Sequence, residues 1–204
     1  LPAAGYGVNV VHTQFDNGYI RAYFGSVIGC DITAIGNRAI WFSSGSAALN
    51  DTLAIIGNKV NTTASSTEAI YIVTTTSRVH LRNNFIKHRE TGILLTGLCA
   101  GYNLIYNNTI LASNTSSTTF GIMVSSVQST AICEVMNNVI DATATGNNYG
   151  IYNSGGNSGT TNVYYNHVDN TFTQTITTGW TFSGNNTVTN TISLQPDGRL
   201  VVGS

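Results

Sequence analysis

Apolar and polar residues alternate with period two in short runs: Val79 and Leu81 ahead of Ile86, Ile93 and Leu95, Ile122 and Val124, then Val135 and Ile140. Alternation over four to six residues, broken by Asn or Gly, predicts short strands, because successive strand side chains point to opposite faces. No stretch sustains a 3.6-residue period with helix caps. The runs also recur. Asn83-Asn84-Phe85-Ile86 returns as Asn107-Asn108-Thr109-Ile110 and Asn137-Asn138-Val139-Ile140, and more loosely as Tyr165-Asn166-His167-Val168 and Gly57-Asn58-Lys59-Val60. A second phrase stands between them, in Gly92-Ile93, Gly121-Ile122 and Gly150-Ile151.

The second Asn of the first phrase falls at 58, 84, 108, 138 and 166, spacings of 26, 24, 30 and 28 residues. Self-similarity at such a period marks a solenoid. Each unit supplies two or three short strands, and equivalent strands of successive units must lie side by side and run the same way. The predicted fold is therefore all-β, a single-domain right-handed parallel β-helix of about seven to eight coils, the hand following from the general crossover preference. Residues 31–204 carry the repeats, and residues 1–30 are an N-terminal cap or a first coil. Asn tolerates the left-handed backbone that the turn requires. A buried amide must also find partners, so Asn37, Asn58, Asn84, Asn108, Asn138 and Asn166 are expected to stack as a ladder at one corner, with Asn17 and Asn186 as outlying markers.

Only 8% of the 204 residues are Asp, Glu, Lys or Arg, against roughly 25% in ordinary soluble domains. A formal net charge of −1 argues against a nucleic-acid partner, which calls for clustered Lys and Arg. No window of 18 apolar residues exists, so membrane insertion is not expected. The chain opens on Leu1 without a charged-then-apolar leader and reads as a mature or excised piece. Three cysteines, Cys30, Cys99 and Cys133, form no disulfide framework and read as buried thiols.

The Asn-Asn-x-Ile and Gly-Ile phrases resemble those of parallel β-helix repeat proteins of the pectin-lyase-like superfamily, especially secreted and cell-surface versions from Bacteroidota. The resemblance runs from about residue 30 to 200, and the tail from Leu194 to Ser204 looks like a last rung of such proteins. It implies an extracellular or cell-surface location. It also implies either activity on polysaccharide, by β-elimination with a Lys or Arg base or by hydrolysis with grouped Asp, or a module without catalysis.

The residues themselves favour the latter. The nine carboxylates are scattered along the chain, whereas calcium wants several converging and general acid–base chemistry needs a close pair. No Cys/His spacing fits zinc. No catalytic residue, metal or cofactor is assigned. One concentration of ionisable groups stands out, Arg78, His80 and Arg82 followed by Lys87, His88, Arg89 and Glu90. With Val79 and Leu81 inward, Arg78, His80 and Arg82 face out, to grip a uronate or sulfate, to let Arg82 with His80 serve as a lyase acid and base, or as a solvated rung facing Glu68, Glu90 or Glu134 on neighbouring coils. Aligning the units places Ile56, Arg82, Tyr106, Met136 and Tyr164 in one outward column and Trp41, Tyr71, Leu94, Met123 and Tyr152 in another. Trp41, Tyr71, Tyr106, Tyr152 and Tyr164 are thus candidates for an interface or for stacking on sugar rings. The expected protein is a non-catalytic structural or adhesive module whose partners are copies of itself or a surface polysaccharide, with a polysaccharide lyase or hydrolase as the alternative.

Overall fold

The computed structural model describes residues 7–36, 38–43, 52–63, 68–75, 78–98, 101–113, 118–142, 148–155, 158–168, 174–176, 181–182, 192–194 and 200–202. The chain is an all-β parallel solenoid with three sheets and, among the described residues, no helix. It passes through the sheets in turn. Sheet 1 has eight strands, Gly7–Val11, Phe24–Ile28, Thr52–Ile56, Arg78–Arg82, Gly101–Tyr106, Ala131–Met136, Thr160–Tyr164 and Thr181–Phe182. Sheet 2 has seven, from Gln14–Asp16 to His167–Val168, and sheet 3 has seven, from Ile20–Ala22 to Gln174–Ile176. Residues 7–22 thus supply the end strand of every sheet.

Parallel pairing in register turns the sequence repeats into columns of like residues. In sheet 2, Ile32, Val60, Ile86, Ile110, Ile140 and Val168 stack inward in one line, each at most 1% exposed. Ile40, Ile70, Ile93, Ile122 and Ile151 do the same in sheet 3. β-branched side chains suit this arrangement, since they pack well on a pleated surface and have few rotamers to lose.

The turn from sheet 1 to sheet 2 divides the Asn-Asn phrase into two jobs. The first residue takes the left-handed backbone, with φ of 57° at Asn83, 55° at Asn107 and 53° at Asn137, and Gly29 and Gly57 stand at the same place. The second is buried and forms the ladder. Nδ2 of Asn58, Asn84, Asn108 and Asn138 each donates to Oδ1 of the next Asn at 2.9 Å. The same amides donate backward to the carbonyls of Val27, Ile55, Leu81 and Ile105. Each Oδ1 from Asn84 to Asn166 also receives the backbone N–H of the preceding ladder Asn. Donors and acceptors of these interior amides are fully used, as burial demands.

The ladder starts differently from the expectation. Asn37 lies outside the described residues, as does Asn186. The position ahead of Asn58 belongs to Cys30, whose backbone N–H donates to Asn58 Oδ1 at 2.9 Å. One unit earlier, Asp31 N–H donates to the carbonyl of Thr13 and His12 holds the left-handed place at φ 48°. Asn17 is exposed and belongs to a separate bend. An Asn-Gly pair forms many kinds of turn, which is why Asn17-Gly18 was a poor register marker. The tail differs as well. Ile192–Leu194 pairs antiparallel with Leu200–Val202, so it is a two-stranded sheet of its own and not a rung of the parallel sheets.

At Tyr165 the left-handed place, φ 55°, falls to a bulky residue that lacks the local hydrogen bonding which lets Asn visit this region. Tyr165→Asn should stabilise the protein by about 0.5–1 kcal/mol. A urea melt checks this, and an unchanged or lower midpoint would show that the ring's edge contact with Tyr164, centroids 5.4 Å apart, outweighs the backbone cost.

Candidate functional site

The outer face of sheet 1 collects most of the candidate residues. Arg78, His80 and Arg82 alternate with buried Val79 and Leu81 on one strand and point outward. The next strand presents Tyr102, Leu104 and Tyr106, and the one after presents Ile132, Glu134 and Met136. The Thr160–Tyr164 strand follows with Asn162 opposite Glu134 and Tyr164 opposite Met136. On the other side of the cationic strand lie Thr52, Ala54 and Ile56. The register therefore sets Ile56, Arg82, Tyr106, Met136 and Tyr164 side by side. Tyr102 and Ile132, 42% and 38% exposed, form an apolar patch beside them.

Two electrostatic features mark this face. Glu134 accepts a hydrogen bond from the hydroxyl of Tyr164, and the Tyr102 hydroxyl interacts with the same carboxylate. Burial and that bond together push the Tyr164 phenol up, and for Tyr102 the interaction with Glu134 leads, with burial second. Neither phenol is poised to lose its proton as a base near neutral pH. His80 moves the other way: burial first, then the charges of Arg82 and Arg78, hold it below the ordinary imidazole value. Its neutral form is favoured, so the fixed positive charge of the rung comes from the two arginines. Among the described residues neither arginine is ion-paired, and the Arg82 guanidinium sits 5.9 Å from the centroid of the Tyr106 ring. Of the carboxylates expected to face this rung, Glu68 instead binds Arg38, Nε to Oε2 at 2.6 Å, and Glu134 is two strands away on the same face.

The remaining aromatic candidates belong to a different face. The register of sheet 3 aligns Arg21, Trp41, Tyr71, Leu94, Met123 and Tyr152. Trp41 is covered by two cations, Arg21 at 4.0 Å and Arg38 at 4.8 Å from the ring centroid, and Arg38 also lies 4.5 Å from Tyr71. Those rings are engaged within the chain by cation–π contact. Tyr152 packs with Phe120 and Tyr149, centroids 4.9 and 5.0 Å away. The five aromatic candidates thus make two separate faces rather than one platform. Sheet 2 carries a third feature, a groove of about 450 Å³ lined by Phe85, Lys87, Leu111 and Asp141.

Sequence reasoning named Glu134 as a neighbour of the cationic rung but missed Tyr102 and its link to Glu134, which spans 32 residues and becomes visible only once the register is known. It also counted His88 in the concentration of ionisable groups without giving it a face. Strand parity places it inward with Ile86, and it is fully buried with no hydrogen-bond partner on either ring nitrogen. Burial drives its pKa down to about 3. The unfolded imidazole, at an ordinary 6.5, takes up a proton that the folded one refuses. Stability is then complete above pH 6.5 and falls by about 1.4 kcal/mol per pH unit between there and about pH 3. His88→Leu should therefore lose about 3 kcal/mol less than the wild type between pH 7.5 and 4.5. Urea titrations at the two pH values measure it, and parallel losses would refute the assignment.

Among the described residues no group of three or more His, Cys, Asp or Glu converges. Cys30 and Cys133 are buried and free, with Cys133 pushed up to about 12 by burial and by Glu134, and Cys99 lies outside the described residues. The outer face of sheet 1 is aromatic and sparsely charged among the described residues. No protein-family model, curated protein or solved structure matches this chain.

Proposed function

We propose that this protein is a non-catalytic structural or adhesive module of the cell surface or extracellular space, acting by packing against copies of itself or against surface polysaccharide. The observation that carries this reading is the outer face of sheet 1, where Tyr102, Leu104, Tyr106, Ile132, Met136 and Tyr164 surround only a few charges. Large apolar faces mark interaction sites. Raised phenols at Tyr102 and Tyr164 and a carboxylate already engaged by both weigh against acid–base catalysis there. We further infer a right-handed solenoid of about seven to eight coils, akin to the pectin-lyase-like superfamily. Sheets of eight, seven and seven strands support that coil number, and the crossover preference supports the hand.

Electron microscopy and light scattering on the untagged protein, with binding and turnover measured on a panel of neutral and uronate-containing polysaccharides, test the reading. Assembly or polysaccharide binding without turnover is the expected result. Turnover that is lost in Arg82→Ala and His80→Ala would replace it with the lyase alternative. A monomer that neither binds nor cleaves would end it.

A further inference from the structure

We propose that sheet 1 is a self-complementary surface on which two copies of this chain pair face to face about a two-fold axis running along the strand Gly101–Tyr106. The idea rests on the adhesive reading above and specifies its partner. The axis is chosen by charge. The cationic strand Arg78–Arg82 and the strand bearing Glu134 flank Gly101–Tyr106 on opposite sides. A half-turn about that central strand exchanges them. His80 then lies opposite the partner's Glu134, with Arg78 and Arg82 forking about it. A half-turn about an axis in the interface parallel to the solenoid would instead place each cationic strand opposite the partner's cationic strand, and like charges across an interface are strongly unfavourable.

Apolar groups agree with the same axis. Tyr102, Leu104 and Tyr106 meet their own counterparts at the centre, where buried Tyr anchors typically concentrate binding energy. Thr52, Ala54 and Ile56 fall opposite the partner's Thr160, Asn162 and Tyr164. Sheet 1 supplies three strands on each side of the central one for this overlap, from Phe24–Ile28 to Thr181–Phe182. At ~4.8 Å per strand and ~17 Å of strand length, seven strands present roughly 550 Å² in projection per copy, a total of roughly 1,100 Å², near the lower bound for a specific interface. A polyanionic chain suits the face less well. The strands beside the cationic one bear no charge at their outward positions, and Glu134 stands where a second anionic unit would pass.

Light scattering across a concentration series should give twice the chain mass. Arg78→Glu with Arg82→Glu should weaken pairing at least ~100-fold, and adding Glu134→Arg should restore most of it. Leu104→Arg, which sets like charges on either side of the axis, should separate the copies by an independent route. Circular dichroism shows whether each variant keeps its fold, and the wild-type mass needs no variant. A dimer indifferent to these changes, or a monomer at every concentration, overturns the pairing. A monomer that still binds polysaccharide leaves the adhesive reading standing, whereas one that binds nothing ends both.

Discussion

Asn108→Ala is expected to destabilise the protein by about 3–5 kcal/mol, among the largest losses available to a single polar side chain here. The substitution removes both donors and the acceptor of one amide at the middle of the ladder. Asn84 then loses partners for its backbone N–H and for Nδ2, and the carbonyl of Leu81 loses the donor that lay 3.0 Å away. Three buried groups are stranded at roughly 1–3 kcal/mol each, less whatever a water entering the gap restores. Asn58→Ala supplies the control. It opens the ladder, and its loss strands only the backbone N–H of Cys30 and the carbonyl of Val27, with no amide of a preceding Asn. Equilibrium denaturation of the two variants should show the interior loss to be the larger. Equal, small losses would mean that the stacked amides are a by-product of the fold rather than a support for it.

Gly121→Ala should cost about 3 kcal/mol or more, through contact rather than through backbone dihedral preference. A Cβ there would lie 2.4 Å from Cγ2 of Ile140 and 2.6 Å from the carbonyl oxygen of Gly150. The isoleucine methyl is itself locked in a buried column, and the carbonyl is part of the sheet. Gly92 is crowded in the same way, 2.6 Å from the carbonyl of Gly121. Two successive inward positions, Gly then Ile, occur here where the strand enters sheet 3, and the extra inward residue must be small. Gly57→Ala tests the distinction, since nothing lies within 4 Å of its Cβ but φ is +65°. It should lose only the milder left-handed cost of about 1–2 kcal/mol. If Gly121→Ala and Gly57→Ala lose the same amount, the packing explanation fails.

These two positions also explain which parts of the fold were legible in the sequence. Asn83-Asn84 and its relatives are readable because two different requirements, a left-handed φ and a buried amide with four bonding directions, both select Asn. Gly-Ile is readable because sterics leave one residue type in that place. The start of the ladder was obscure for the matching reason: at Cys30 the backbone N–H alone makes the bond, so no side chain announces it. The outer face of sheet 1 was half legible. Alternation gave the outward direction of Arg78, His80 and Arg82, and spacing from the ladder gave their column neighbours. The Tyr102–Glu134–Tyr164 cluster depends on diagonal reach between strands, which spacing does not encode. The inward side of His88 was legible from its parity with Ile86, although no expectation drew on it.

The ladder has a direction as well as a position. Every Oδ1 from Asn58 to Asn166 faces the N-terminal end and every linking N–H faces the C-terminal end. Amide dipoles of roughly 3.5 D aligned head to tail reinforce one another, as peptide dipoles do in a helix. The ladder is therefore electrically polar along its length, a contribution separate from that of the formal charges. In a face-to-face pair related by a half-turn about a strand, the two rows run in opposite directions, so their moments along the solenoid direction cancel.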